Sequence, residues 1–335
     1  MLIINFLLLC QTSVPHLEIF GQSANSHFGN SVANAHDVNQ DGTDDFIIGA
    51  SSSTIGGMAG AGAAYLYSGV DGSLIRQWQG QAANYYLGAC VSGAGDLNGD
   101  NVPDLLIGAT GTSPGGINSA GSAFAYSGAD GSLIHQWDGT FADGYFGSYI
   151  AGGEDVNADG VPDVIVGDTH ADFLGENQCG QAFVYSGLTG NVIYSWQGVD
   201  SSDYLGRNST FVGDVNNDGF TDFAICAPGA ANNYGQVTVY SGNGGGQLLQ
   251  LIGPGYGDDF GWCVDGIGDI NGDGHEDLVV GAPRETVNGV NWAGAAYAYS
   301  GADSSLLHKW VGTLPYSTFG KEVSAAGDFN QDGVP

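Results

Sequence analysis

The sequence predicts an all-β protein, specifically a β-propeller of four-stranded blades. Three observations support this: a nine-residue acidic motif recurs at a nearly constant period, each period contains four short strand-like segments, and no segment shows sustained helical periodicity. The first Asp of the motif stands at positions 37, 96, 155, 214, 269 and 328, so the steps are 59, 59, 59, 55 and 59 residues. Such a period indicates a stack of like units, and four antiparallel strands in about sixty residues match a propeller blade.

Each repeat contains the same segments in the same order. It opens with Phe-Gly or Leu-Gly, as at Phe28-Gly29, and a strand of small residues follows. The acidic motif then leads to a β-branched apolar run such as Val164-Ile165-Val166, which is typical of a strand buried on both faces. A Gly-rich loop precedes a third strand ending in Tyr-Ser-Gly, and a tight turn such as Asp130-Gly131 starts a hairpin. Most fourth strands carry a Trp, which we interpret as packing between blades: Trp78, Trp137, Trp196 and Trp310.

The register of the repeats predicts the domain organisation. Within a propeller domain at 16-335, complete blades are expected at 28-80, 87-139, 146-198, 205-253 and 260-312. Residues 16-21 match the fourth strand of an earlier blade, and residues 319-335 match a first strand and part of a sixth acidic loop. Because open blade edges are prone to aggregation, these partial blades predict that the chain is part of a longer polypeptide.

Residues 1-15 have two interpretations. The apolar run resembles the central region of a secretory signal, although no Lys or Arg precedes it. The alternative is a remnant of a preceding blade, and we favour the signal. Past residue 15 no segment is long and apolar enough for direct membrane insertion.

The acidic motif has the chemistry of a calcium loop. In Asp269 to Asp277, read D-I-N-G-D-G-H-E-D, carboxylate or amide side chains occupy positions 1, 3, 5 and 9. Gly274 at position 6 permits the positive φ that turns the chain back, so these oxygens can converge, with the carbonyl of His275 as a backbone ligand. Hard oxygen ligands in a flexible loop suit calcium. EF-hand and dockerin loops begin in the same way but need an acidic residue at position 12, where this chain has Ile48, Ile107, Val166, Ile225 and Val280.

The Phe-Gly opening, the D-x-N-x-D-G-x-x-D loop and Gly281-Ala282-Pro283 resemble the FG-GAP repeats of the integrin α-subunit propeller, and bacterial secreted proteins with this repeat look more similar still. The resemblance covers nearly all of residues 16 to 335. It implies a seven-bladed propeller when complete, with Ca²⁺ between the first and second strands of a blade, about one ion in each of five complete loops. The ligands it implies are Asp37, Asn39, Asp41, Thr43 and Asp45; Asp96, Asn98, Asp100, Val102 and Asp104; Asp155, Asn157, Asp159, Val161 and Asp163; Asp214, Asn216, Asp218, Phe220 and Asp222; Asp269, Asn271, Asp273, His275 and Asp277; and, in the incomplete sixth loop, Asp328, Asn330 and Asp332.

Charge and cysteine content narrow the range of partners. The formal net charge is -31 with only five Lys and Arg residues, so nucleic acid and anionic membrane surfaces are not expected partners. Calcium loops of this kind should bind weakly, with a Kd of roughly 10⁻⁴ to 10⁻³ M, as extracellular modules do. We therefore expect an extracellular or cell-surface location. The five cysteines show no zinc-binding spacing and do not decide the compartment.

A partner-binding face is expected opposite the calcium loops. The fourth repeat is shorter than the others only in its loop between second and third strands, as expected where a rigid scaffold carries variable binding loops. In the third repeat this loop contains Asp168, His170, Asp172 and Glu176. They indicate either a second metal site or acid-base cluster, or a solvated loop in an acidic protein, and we favour the solvated loop.

These observations favour a calcium-stabilised, non-catalytic module for adhesion or for recognition of protein or carbohydrate. One alternative is the propeller of, or one appended to, a secreted polysaccharide lyase or hydrolase. Another is a structural spacer in a large surface protein. No nucleophile elbow, zinc motif or distinctive carboxylate pair outside the repeats supports an enzyme.

Overall fold

The computed structural model describes residues 17–21, 23–173, 175–328 and 333–335. The predicted signal or blade remnant at 1-15, residue 16, and the predicted ligands Asn330 and Asp332 lie outside these residues. Among the described residues, no helix is long and apolar enough to cross a membrane.

The strands form five sheets of four antiparallel strands, and within each sheet the spatial order follows the chain order. We number these sheets blades 1 to 5. Their strands are β1 Val32–His36, β2 Asp45–Ala50, β3 Ala63–Tyr67 and β4 Leu74–Gln79; β5 Leu87–Gly95, β6 Asp104–Ala109, β7 Ser122–Tyr126 and β8 Leu133–Asp138; β9 Tyr149–Glu154, β10 Asp163–Asp168, β11 Gln181–Tyr185 and β12 Val192–Gln197; β13 Ser209–Gly213, β14 Asp222–Ala227, β15 Gln236–Tyr240 and β16 Gln247–Ile252; β17 Val264–Gly268, β18 Asp277–Ala282, β19 Ala295–Tyr299 and β20 Leu306–Val311. The prediction of an all-β fold built from four-stranded propeller blades is confirmed.

Two short helical turns interrupt the loops of the described chain. A 3₁₀ turn spans Pro114–Gly116 after β6, and the four-residue helix α1 spans Ala230–Asn233 after β14. Both lie between a second and a third strand, where the sequence predicted variable loops. The shortened loop of blade 4 thus folds as a single compact turn.

The second strand of each blade forms its buried centre. All six residues of β6, β10, β14 and β18 are buried, as the β-branched apolar runs predict. This strand pairs with another strand on each side, and both faces of the sheet are packed there. Nearly every one of its side chains therefore contributes hydrophobic stabilisation. This strand therefore gives the adjoining acidic loop a rigid base.

The chain divides into two compact units, Met1–Gly153 and Glu154–Pro335. In the first unit, a cluster including Ile47, Leu66 and Leu105 joins blades 1 and 2. In the second unit, a cluster including Val239 and Leu278 joins blades 4 and 5. Blades 1 and 2 therefore share one apolar cluster, and blades 4 and 5 share another.

Glycine allows close contact between blades in the first unit. A Cβ added to Gly108 on β6 would lie 2.1 Å from the carbonyl oxygen of Gly147. No side chain fits at that distance, so packing in blade 2 requires Gly at position 108. Blade 4 has Cys226 at the equivalent position, so the requirement does not hold in every repeat.

The outer-strand Trp residues do not all have the same environment. Trp78 is 8% exposed, its ring lies 5.6 Å from that of Tyr126 in blade 2, and its Nε1 donates to the Gly131 carbonyl at 3.3 Å. Trp196 lies 4.5 Å from Tyr240 in blade 4. The interpretation as inter-blade packing is confirmed for these two, whereas Trp310 on β20 is 42% exposed.

Candidate functional site

The acidic loops connect the first and second strands of the blades. The last residue of each loop is also the first residue of the second strand, which fixes that end of the loop to the buried centre of the blade. The turn at position 6 has positive φ in all five complete loops, at Gly42, Asn101, Gly160, Gly219 and Gly274. Asn101 adopts this conformation at a φ of 63°, as Asn tolerates better than most residues.

Backbone amides orient the side chains of each loop. In blade 3, Asp155 accepts hydrogen bonds from Asp159 N and Gly160 N at 3.2 and 2.8 Å. Asn157 Oδ1 accepts from Asp159 N at 2.9 Å, and Asp159 Oδ1 accepts from Val161 N at 3.0 Å. The same bonds recur in the other four complete loops. The side chains at positions 1, 3 and 5 are therefore held in defined orientations.

The Asp at position 9 has a structural role that the sequence did not reveal. In blade 3, Asp163 Oδ2 accepts from Val156 N at 3.0 Å, and Oδ1 accepts from Gly187 N at 3.1 Å, just beyond the third strand. Each equivalent carboxylate joins the loop to the third strand of its blade in this way, and all five are at most 1% exposed: Asp45, Asp104, Asp163, Asp222 and Asp277. This residue links three parts of one blade.

Burial dominates the electrostatics of these carboxylates. It raises the pKa of Asp104 and Asp222 to about 6 and that of Asp163 to about 7, although the backbone N–H donors oppose the shift. The other loop carboxylates, such as Asp155 and Asp159, raise the pKa of Asp163 further. A positive charge in the loop would relieve both causes, because it stabilises the ionised form.

The donor set fits calcium, although the geometry shows no compact metal-binding cluster. Within the described part of the chain, no three His, Cys, Asp or Glu side chains are grouped closely enough to hold a metal ion. The loops nevertheless offer oxygen donors, and an oxygen that accepts one N–H retains a second lone pair for a cation. In the sixth loop, Asp328 Oδ2 accepts from Gly333 N at 2.8 Å. The ligand set remains a prediction.

The acidic residues of the third variable loop do not form one site. Each engages a different neighbour: Asp168 Oδ2 accepts from Gln181 Nε2 at 2.9 Å, Asp172 Oδ1 from Gln178 N at 2.7 Å and Glu176 Oε2 from Ser201 Oγ at 2.5 Å, while the His170 ring lies 5.6 Å from that of Tyr204. Asp168 is fully buried, which raises its pKa to about 7. These contacts are structural, and they favour the interpretation as an ordinary loop over a second metal site.

The opposite end of each blade is built from two segments. One is the loop between second and third strands, and the other is the link that joins the fourth strand to the next Phe-Gly or Leu-Gly. The two segments are hydrogen-bonded, for example Tyr86 N to the Gly60 carbonyl at 2.9 Å and Thr318 N to the Trp292 carbonyl at 3.1 Å. Together the two segments form the surface of this end of each blade.

The link has an unusual backbone conformation that sequence reasoning missed. The residue before each Phe-Gly or Leu-Gly has positive φ although none is Gly: His27, Tyr86, Tyr145, Tyr204, Asp259 and Thr318, with φ between 49° and 62°. Tyr or Thr rarely adopts this conformation without tertiary support. Hydrogen bonds to the variable loop supply that support, and they are not visible in a local pattern.

Five residues in Glu154–Pro335 form a second feature at this end, which we name the arginine–tryptophan patch. They are Arg207, Trp262, Arg284, Trp292 and Tyr316. The Arg207 guanidinium lies 3.7 Å from the centroid of Trp262, and that of Arg284 lies 5.9 Å from Trp262 and 5.3 Å from Trp292. Trp292 and Tyr316 pack edge to face at 5.7 Å. Arg207 and Trp262 share one repeat position, directly after Leu-Gly or Phe-Gly, but Arg284, Trp292 and Tyr316 come from other segments. The sequence therefore did not predict their association.

Comparison with known proteins identifies the repeat. A family model of the FG-GAP repeat matches residues 28–67 and 264–299, and one of an FG-GAP-like repeat matches 214–280. The chain is 30% identical to human integrin alpha-8 over 213 residues, which cover 59% of this chain and 20% of that protein. It is 29% identical to chicken (Gallus gallus) integrin alpha-V over 213 residues, with 58% and 20% coverage. The chain thus spans about a fifth of the length of these relatives.

One solved structure supports the fold alone. The crystal structure of Saccharomyces cerevisiae Sqt1 superposes with a TM-score of 0.50 and 12% identity, covering 80% of this chain and 59% of that one. The repeat matches, the integrin similarity and the five four-stranded blades agree with one another. The chain is an FG-GAP repeat protein with an integrin α-subunit-like β-propeller fold.

Proposed function

We propose that this chain is a calcium-stabilised, non-catalytic recognition module that acts in adhesion outside the cell. The observation that carries the proposal is the repeated loop geometry: five loops present the same oriented oxygen donors at one end of the blades. The other end has loops of differing length and exposed aromatic side chains. Similarity to integrin α-subunits supports a recognition role.

The proposed ligands of each ion are the side chains at positions 1, 3, 5 and 9 and the carbonyl at position 7. Two carboxylates about 4 Å apart repel by about 4 kcal/mol at an effective dielectric constant of about 20. A bound Ca²⁺ would neutralise this repulsion and connect the loop to the second strand. Because position 9 also contacts the third strand, the loop residues would transmit this stabilisation through the blade.

Thermal unfolding in calcium and in EDTA tests the calcium role. For a Kd of about 10⁻³ M, calcium at about 10 mM stabilises the folded state by about 1.4 kcal/mol per site. We expect the melting temperature to fall in EDTA and to recover when calcium is restored, with magnesium at equal ionic strength as the control. An identical melting temperature in calcium and EDTA would contradict the proposal.

Adhesion of coated particles to cell surfaces tests the recognition role. The partner is proposed to be a protein or carbohydrate that binds at the loop-and-link end of the blades, in keeping with an extracellular or cell-surface location. Replacing residues 110–121 of blade 2 with the shorter segment 228–235 of blade 4 preserves the flanking strands. Particles are coated with the unmodified chain or with this loop-replacement variant. If the chain were only a spacer, neither kind of coated particle would adhere more than uncoated particles.

A further inference from the structure

The arginine–tryptophan patch is distinct from the acidic loops in both chemistry and position. Arg207 follows the Leu-Gly pair that opens blade 4, and Trp262 follows the Phe-Gly pair that opens blade 5. Arg284 and Trp292 belong to the loop between β18 and β19, and Tyr316 belongs to the following link. All five residues therefore lie at the loop-and-link end, whereas the acidic loops lie between first and second strands.

The patch has a half-buried base and an exposed rim. Arg207 and Trp262 are both half-buried, and their 3.7 Å contact stacks a guanidinium on an indole. Trp292 is 45% exposed and Tyr316 is 66% exposed. Although the two rings pack against each other, a large part of each stays exposed in the described chain and offers apolar surface to a ligand.

Arg284 forms an ion pair at the rim. Its Nε lies 3.1 Å from Oδ2 of the buried Asp259, and its side chain is 47% exposed. A guanidinium held through Nε still presents its two terminal nitrogens, which match the two oxygens of a carboxylate. The ion pair thus orients Arg284 without using its whole donor set.

Positive charge is scarce in this protein, which makes its location informative. The formal net charge is -31, and two of the five basic residues lie in the patch. Asp259 is an acidic neighbour of both Arg residues, and Glu322 is a further neighbour of Arg207. A densely charged polyanion would be repelled by the protein as a whole, so the patch suits a ligand that combines a few carboxylates with uncharged surface.

We propose that the arginine–tryptophan patch binds a carboxylate-bearing carbohydrate of the uronic acid class. The carboxylate would pair with the terminal nitrogens of Arg284, and the C–H face of the sugar ring would pack on Trp292 and Tyr316. The Arg284 guanidinium lies over the Trp292 ring, 5.3 Å from its centroid, so the charged and the apolar contact would be adjacent. This inference rests on the proposed recognition function and names its ligand chemistry.

A peptide ligand is less well matched to this surface. Extended peptides gain affinity from main-chain hydrogen bonds to an open strand edge. Here the link and the loop already use their amides on each other, since Tyr316 N donates to the Asn291 carbonyl at 3.0 Å and Thr318 N donates to the Trp292 carbonyl at 3.1 Å. Side-chain contacts therefore dominate, and rings next to a guanidinium favour an acidic sugar.

Isothermal titration calorimetry with trigalacturonate tests the proposal, at constant calcium and physiological ionic strength. Maltotriose serves as the uncharged match and triglutamate as the peptide with equal side-chain charge. We expect trigalacturonate to bind at least tenfold more tightly than either. W292A and R284Q should each weaken that binding at least tenfold, and R284K should not restore it because Lys lacks the planar fork.

Two matched variants control for non-specific effects. Y256A removes a 72% exposed aromatic outside the patch, and R76Q removes one positive charge from the other unit. Both should bind trigalacturonate as the unmodified chain does. W292A leaves the Arg284–Asp259 ion pair in place, so it remains informative if R284Q lowers stability.

Three results would overturn the inference: undiminished trigalacturonate binding by W292A and R284Q, equal binding of triglutamate, or no binding of trigalacturonate. The same samples are melted in calcium and EDTA. If calcium stabilises the chain and coated particles adhere while trigalacturonate does not bind, the inference fails and the proposed recognition function stands.

Discussion

Replacement of Asp163 by Ala distinguishes the structural role of the acidic loop from its proposed metal role. The substitution removes both carboxylate oxygens, so Val156 N and Gly187 N lose buried acceptors. Each buried N–H left without a partner costs about 1–3 kcal/mol. Burial raises the pKa of Asp163 to about 7, so removal of a poorly solvated carboxylate offsets part of this cost.

We therefore expect D163A to lower the free energy of unfolding by about 2–4 kcal/mol even in EDTA. For a unit of this size, 1 kcal/mol shifts the melting temperature by about 2–4 °C, so the expected decrease is about 4–16 °C. The matched variant is D159A, which removes an exposed carboxylate that accepts a single loop hydrogen bond, from Val161 N. D159A should lose at most about 1 kcal/mol in EDTA.

The assay is thermal unfolding of the unmodified chain, D163A and D159A, each in EDTA and in about 10 mM calcium. At that concentration one site with a Kd of about 10⁻³ M stabilises the folded state by about 1.4 kcal/mol. Calcium should stabilise D159A less than the unmodified chain by about that increment. Equal destabilisation of D159A and D163A in EDTA would refute the reasoning. So would a D163A protein within 0.5 kcal/mol of the unmodified chain, an effect of the size expected at ordinary surface positions.

Three further predictions concern packing and pH. W78A should lower the free energy of unfolding by about 3–5 kcal/mol and W310A by about 1 kcal/mol, because Trp78 is 8% exposed and Trp310 is 42% exposed. Urea unfolding measures both losses. Equal losses would contradict the packing argument. G108A should lower the urea midpoint strongly, since the added Cβ would lie 2.1 Å from the Gly147 carbonyl oxygen, while G160A, where no atom lies within 4 Å, should show only the smaller cost of its positive φ. Burial raises the pKa of Asp168 from 3.8 to about 7, so the folded state holds this proton more tightly and stability from this group falls as pH rises from about 4 to about 7. D168N should therefore gain stability relative to the unmodified chain between pH 5 and pH 8 in thermal melts, and a difference independent of pH would exclude this account.

The repeat determines most of the architecture directly from sequence. The acidic motif, the apolar run and the Tyr-Ser-Gly segment recur at one spacing, so errors in assigning a single strand are corrected by the other repeats. The buried second strand and the positive φ at position 6 also follow from local chemistry, since β-branched runs favour strands and the turn requires Gly or Asn. Blades and acidic loops were predictable for this reason.

The tertiary structure decided what individual side chains do. The position-9 Asp stays a predicted metal ligand, and it has a second role: Asp163 contacts Gly187, 24 residues away and just beyond the third strand, which no local pattern contains. The hydrogen bond from Trp78 Nε1 to the Gly131 carbonyl joins residues 53 apart, and it too is contained in no local pattern.

There is a physical reason why the sequence determines some of these features and the tertiary structure decides the others. Secondary structure and turn geometry depend on neighbours along the chain, which a recurring sequence displays many times. The arginine–tryptophan patch depends on side chains of blades 4 and 5, such as Arg207 and Trp262, whose repeat position carries small or uncharged residues in blades 1 to 3. The sequence by itself determined the blades and the acidic loops, and only folding brought together the surface that we propose binds a ligand.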